Sequence, residues 1–379
     1  MQNKSCAPQS IGHGPDRSTP QCFWLSPNFL LLGIVLLLIA GLASLPLPLQ
    51  AQEVAVTELK VLGGLSTRSN YKEIEQPFWL RTIPENSRGR ITAEVKGFDE
   101  MGLKGTELLK LMKQGLIEFG VVPLVYPSED TPLYELIDLA GLAVDKKTAR
   151  VIATSFNDVL AKQLAGTYQS KLLGISPFAP QVLFCNMPLR GLQDLKGKTI
   201  RTITRSQSEL MDALGAKSIS MPIAEVLPAF TKKTIACAVA SSMAGYTAKW
   251  YTAATHLYAL PLGWNQEIHA VNQKAWDQLA PELQALLETN LSMLIDRLWS
   301  FAESENQKGY DCNTGAKACP MMPKGKMILV KPTTADLNTI KRLTAQSVVA
   351  KWAKRCSAQC VADFNQTVGK ALKITAKKN

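Results

Sequence analysis

One arginine carries the most specific chemistry in this chain. Residues 194–242 alternate short apolar runs with helical spacing and are punctuated by Gly197 and Gly215. The pattern predicts strands over 199–203, 218–221 and 234–240, with helices over 206–214 and 224–231 between them. That is an α/β unit with a largely parallel sheet. Arg201 lies on the first of these strands, where it approaches the next loop. Ligands of open α/β sheets collect in the crevice at the strand carboxyl ends. A permanently charged, planar guanidinium placed there suits a carboxylate, because it offers two parallel N–H donors. The competing reading is a strand arginine paired with a neighbouring acid.

Other chemistry finds no constellation. Of three histidines, His13 lies in the leader, and His256 and His269 flank the loop ALPLGWNQE without a partner at metal-ligand spacing. No G-x-S-x-G elbow occurs, and GGLST lacks both the phosphate-loop lysine and the dinucleotide fingerprint. Asp99 and Glu100 are adjacent on a turn and point differently, unlike a glycosidase pair. Neither a catalytic centre nor a cofactor is therefore expected.

The elements that must position Arg201 follow from the rest of the sequence. The uninterrupted apolar run 29–45 reads as a secretory signal with cleavage after Ala51; an uncleaved anchor is the alternative. The remainder, roughly 330 residues, is long enough for two lobes. The net charge of +11 is spread along the chain, which fits a solvated surface that steers anions better than it fits a nucleic-acid site. Residues 59–122 repeat the strand–helix alternation, with strands at 59–63, 90–96 and 116–122 and helices at 72–83 and 106–114. Two such units predict two α/β lobes with a cleft between them. Pro281 opens a long helix running to about Glu305, whose leucines recur at three and four; it either braces both lobes or fills the core of one. A last helix, capped by Thr333 and Asp336, is expected over 334–372, with a frayed basic tail after it.

Eight cysteines are present, with Cys6 and Cys22 in the leader. Cys312 and Cys319 bracket a polar loop at a spacing that zinc sites do not use, and export to an oxidising compartment makes them a disulfide. Cys356 and Cys360, four apart on a helix, give a weaker indication. Cys185 and Cys237 lie in apolar strands and read as small buried hydrophobes.

The chain from about 58 to 370 resembles the DctP-type solute-binding proteins of TRAP transporters. The resemblance is carried by DLKGKTIR ending at Arg201, by ALGA at 213–216, Met221-Pro222, Glu225-Val226 and Ala229-Phe230. The upstream GFDEMGLKGTELLKLMKQGLIEFGVV and the later AVNQKAWDQLAPELQALLE add to it. It implies a two-lobed periplasmic binding protein-like fold with a long bracing helix and an interlobe ligand cleft. The lobes would comprise 54–178 with 267–300, and 179–266 with 301–379, after a signal peptide over 1–51. The implied function is extracytoplasmic capture of an organic acid by hinge closure and delivery to an integral-membrane permease. The alternatives are a protein of the same fold serving a membrane sensor, and a periplasmic enzyme.

In such proteins the strand arginine holds the ligand carboxylate, a role carried here to Arg201. Many sugar-acid binders have a further arginine upstream, where this chain has Gln181. A ligand-contacting asparagine is replaced in AVASS, where Ser241 or Ser242 would donate hydroxyls instead. Gln181 matches a related group that binds oxo- and hydroxy-acids with a cation, and Glu267 is the residue that would hold one here. By loop position, Tyr126, Arg68, Trp264 and Asn265 complete the expected pocket. An aromatic lining would favour an acid with an apolar or aromatic body.

Overall fold

In the computed structural model the described residues are 56–378; the expected signal segment and its cleavage point lie outside them. Two mixed sheets form the framework. The first contains β1 (Thr57–Gly63), β2 (Ile91–Gly97), β3 (Phe119–Pro123), β4 (Ser170–Ser176) and β10 (Glu267–Asn272), in the order β2-β1-β3-β10-β4. The second contains β5 (Gln181–Cys185), β6 (Thr199–Thr202), β7 (Lys217–Ser220), β8 (Cys237–Ser241), β9 (His256–Tyr258) and β11 (Ile328–Val330), in the order β11-β9-β5-β8-β6-β7. Each sheet has a parallel core, β2-β1-β3 in one and β7-β6-β8 in the other, extended by antiparallel pairings, with β11 added parallel to β9 at the edge of the second. The chain passes from the first sheet to the second after β4, returns into β10 after β9, and crosses again through the helix Pro281–Thr314.

Local chemistry explains most element ends. The strand expected from 234 begins pairing only at Cys237, because Lys233 turns the chain in a left-handed conformation. Helical backbone over 69–86 contains π-type segments at Tyr71–Glu75 and Phe78–Thr82 on either side of Pro77, whose ring nitrogen has no hydrogen to donate to the preceding turn.

The long helix reaches Thr314, nine residues beyond the expected end, and stops at Gly315 with φ of 81°. Its 34 residues span about 51 Å at 1.5 Å each. Leu283 to Leu298 pack against Leu59, Val61 and Val271 of the first sheet. Further along, the Ser242 hydroxyl donates to the Asn306 carbonyl at 2.9 Å and Asn313 donates to the Ser242 carbonyl at 2.8 Å, which ties the helix to the second. The bracing reading therefore describes it, and the single-lobe reading does not.

The last helix is not continuous. It breaks at Cys356, which is extended, and restarts where Ser357 caps the helix Ala358–Gln366. The tail is held rather than frayed, since Asn365 exchanges hydrogen bonds of 3.0 and 2.8 Å with Ala376. Thr333 and Asp336 form the expected capping box.

The cysteine reading needs one correction. Cys185 and Cys237 are not separate buried hydrophobes but a disulfide, joining directly opposed positions of antiparallel β5 and β8 with Cα atoms 4.1 Å apart. Cys312 is bonded to Cys319, and Cys356 to Cys360.

Candidate functional site

Arg201 sits on β6 between parallel neighbours, level with Ile219 of β7 and Ala238 of β8. Its side chain is only 6% exposed. Nε donates to the Met221 carbonyl at 3.0 Å and Nη1 to the Val239 carbonyl at 2.7 Å, so two backbone oxygens fix the guanidinium plane. None of the ion pairs among the described residues involves it. Burial alone lowers its pKa from 12.5 to about 10, which still leaves it charged at neutral pH. Among the described residues, the acid partner of the competing reading is not found.

The guanidinium lines a cavity of about 460 Å³ at the ends of the two sheets. Gln181, Ser241, Asn265, Tyr126 and Arg68 line the same cavity. Gln181 is buried at the start of β5 and donates through Nε2 to the Ala179 carbonyl at 2.9 Å. The Ser241 hydroxyl accepts the Ala244 amide at 3.2 Å and so caps the helix Ser242–Thr247. Arg68 is held over the Phe178 ring at 4.2 Å. Its pKa is lowered by burial, and Glu305 and Glu267 oppose that shift.

Two expected contacts lie elsewhere. Ser242 is fully buried with its hydroxyl committed to Asn306, on the side of the long helix. Trp264 is a core residue: its indole N–H donates to the Ala143 carbonyl at 3.2 Å and its ring lies against Trp299. In each pair the neighbour one residue away, Ser241 or Asn265, is the one that reaches the cavity.

Three residues complete the site. Phe178, in the short crossover between β4 and β5, supplies the ring under Arg68. Asp138 is half-buried and accepts the Trp264 and Asn265 amides at 2.6 and 2.8 Å, fixing the second crossover; desolvation raises its pKa to about 7. A lone acid inside the apolar run LIDLAGL was its sequence signal. Glu267 opens β10 and also lines the cavity. Burial, with Glu75 nearby, raises its pKa to about 8 against the pull of Arg68. Among the described residues, no group of three or more His, Cys, Asp or Glu side chains is placed to hold a metal ion.

Residues 64–349 match the model of the bacterial extracellular solute-binding proteins, family 7 (DctP). The chain belongs to this family. Its members are solute-binding receptors and not enzymes, and the chain is a DctP-type solute-binding protein. No curated protein sequence matches it. Solved structures of similar fold include DctP7, a Bordetella pertussis extracytoplasmic solute receptor binding pyroglutamic acid. It is 19% identical with a TM-score of 0.65, over 84% of this chain and 100% of that one. A TRAP periplasmic solute-binding protein from Desulfovibrio salexigens with bound orotic acid is 16% identical, with a TM-score of 0.67 over 83% and 98%. TeaA, the ectoine-binding protein of the TeaABC TRAP transporter, is 17% identical, with a TM-score of 0.72 over 83% and 100%. These likenesses establish the two-lobed periplasmic binding protein fold of this family 7 receptor.

Proposed function

We propose that this receptor captures a small organic acid between its lobes, closes over it by bending at the crossovers, and delivers it to an integral-membrane TRAP permease. The observation that carries the proposal is Arg201: a buried guanidinium, fixed by two carbonyls, facing a cavity and paired with no acid among the described residues. Burying a charge without a partner is costly, and a ligand carboxylate supplies what the fold leaves out. The remaining wall is largely apolar, with Leu65, Val125, Phe178, Ile203 and Ile223. Such a lining suits an apolar or aromatic body better than the many hydroxyls of a sugar acid. Pyroglutamic and orotic acid, named for two structural neighbours, are apt first probes.

The lobes in this reading are 54–178 with 267–300 and 179–266 with 301–379. Arg355, paired with both Glu135 and Glu209, clasps them on one side. Removal of residues 1–51 on export would place the mature receptor outside the cytoplasmic membrane. Ligand binding drives closure by mass action: at 100 times the dissociation constant it stabilises the bound form by about 2.7 kcal/mol.

Mass spectrometry of the small molecule that co-purifies, followed by thermal-shift measurement with mono-, di- and aromatic carboxylates, tests the assignment. Stabilisation by sialic-acid-like sugars alone, or by no carboxylate, would refute it.

A further inference from the structure

We propose that Glu267 is a second recognition residue of this cavity, and that the ligand carries a hydrogen-bond donor on nitrogen or oxygen in addition to its carboxylate. The inference rests on the carboxylate reading above and specifies the group at the ligand's other end.

Glu267 stands level with Pro123 of β3 and Ser176 of β4 in the first sheet, whereas Arg201 belongs to the second. The two line one cavity from different lobes. Glu267 is 2% exposed, yet neither carboxyl oxygen accepts a hydrogen bond from any described residue. Three other carboxyls that are partly or wholly buried differ in this respect. Asp138 takes two backbone amides, Glu75 takes the Gly64 amide, and Glu305 takes the Ser69 hydroxyl. Arg68 attracts Glu267 but forms no ion pair with it, being held over Phe178.

The carboxyl of Glu267 opens into the cavity and takes no donor from a described residue, and acceptors inside folded proteins are normally met by a donor. One that lines a ligand cavity and lacks a donor from the protein is matched to a donor on the ligand. A second carboxylate in that place would meet like charge once Glu267 is ionised, and so would bind only the protonated form and weaken as the pH rises through about 8. The expected class is a small carboxylate with one N–H or O–H and an otherwise apolar body.

Protonation gives an independent readout. The groups facing Glu267 are Arg68 from the loop after β1, Glu75 from the helix that follows, Tyr126 from the turn after β3, and His269 on its own strand, bonded to Ser176. With its pKa raised to about 8, Glu267 holds its proton in the unliganded cavity near neutrality. A ligand N–H or O–H bonds more strongly to the ionised carboxylate than to the carbonyl oxygen of the neutral acid, so binding favours release of the proton. Affinity then rises as the pH approaches 8 and levels off above it. A ligand that presents only acceptors binds the protonated form and weakens over the same interval.

Calorimetry at pH 6.5 and 9 with two matched pairs tests this: pyroglutamate against its N-methyl derivative, and mandelate against phenylacetate. The donor-bearing member of at least one pair is expected to bind on the order of tenfold to a hundredfold more tightly, and more tightly at the higher pH. Glu267→Gln should reduce that discrimination and abolish its pH dependence. Should the variant fold poorly, the wild-type pair comparison decides alone. Equal affinity within both pairs would overturn the proposal while leaving the carboxylate reading standing. Tightest binding of glutarate, or donor-independent binding that requires added Na⁺, would also overturn it; the latter would assign Glu267 to a cation. If no carboxylate binds, the earlier reading falls first and this one with it.

Discussion

Replacing Arg201 by methionine separates its ligand role from any structural one. The substitution keeps a long apolar stem and removes the charge together with the hydrogen bonds to Met221 and Val239. A pKa lowered from 12.5 to about 10 corresponds to a desolvation penalty on the order of 3 kcal/mol for the charged form in the unliganded protein. Two charge-assisted hydrogen bonds recover a similar amount. The unliganded variant should therefore melt within a few degrees of the parent. Binding is a different matter. Removing one partner of a buried charge pair costs about 2–5 kcal/mol, and the middle of that range is roughly a 400-fold loss of affinity. Ligand at 100 times the parental dissociation constant stabilises the parent by about 2.7 kcal/mol, a rise of roughly 5 °C for a chain of this size. The same concentration stabilises the variant by only about 0.1 kcal/mol. Differential scanning fluorimetry with the co-purifying acid reads both numbers. An Arg201→Met protein that melts normally and retains the full ligand shift would remove the arginine from recognition. Arg201→Lys should also lose most of the shift, since an ammonium cannot reach both carbonyls and a carboxylate as the planar fork does.

Three further outcomes follow from the packing. Cys185→Ser with Cys237→Ser opens a link across 52 residues, which by chain entropy should cost about 4 kcal/mol in denaturant unfolding; a loss no larger than that from opening the Cys312–Cys319 link, which spans 7, would contradict this. Gly309→Ala would place a methyl 2.3 Å from the Ser242 hydroxyl oxygen and 2.6 Å from the Met243 amide nitrogen. It should lower stability by about 1–3 kcal/mol, and an unchanged melting temperature would show that the long helix does not press on that lobe. Glu75 has its pKa raised from 4.5 to about 7 by burial. The fold keeps a proton that the unfolded chain has lost, so this contribution is complete below pH 4.5 and disappears as pH rises through 7. Glu75→Gln should therefore decline less in stability between pH 5 and 8 than the parent, and parallel pH profiles would refute the assignment.

The sequence by itself determined the local grammar: alternating strands and helices, the placement of Arg201 on a parallel strand, the capping box at Thr333 and Asp336, and the start of the long helix at Pro281. Each is set by periodicity or by a few adjacent residues. What depends on register and on distant neighbours was decided by the tertiary structure alone. Cys185 and Cys237 become partners because β5 and β8 align them across a sequence separation of 52. Ser241 reaches the cavity while Ser242 turns to Asn306, and Asn265 reaches it while Trp264 joins the core. Adjacent residues leave the backbone in different directions, and only the packed lobes define which direction is inward. The break at Cys356 and the anchored tail likewise depend on what surrounds them. That Glu267 lines the cavity with no donor from a described residue is of the same kind, because an unmet hydrogen bond is a property of the assembled neighbourhood and not of any segment.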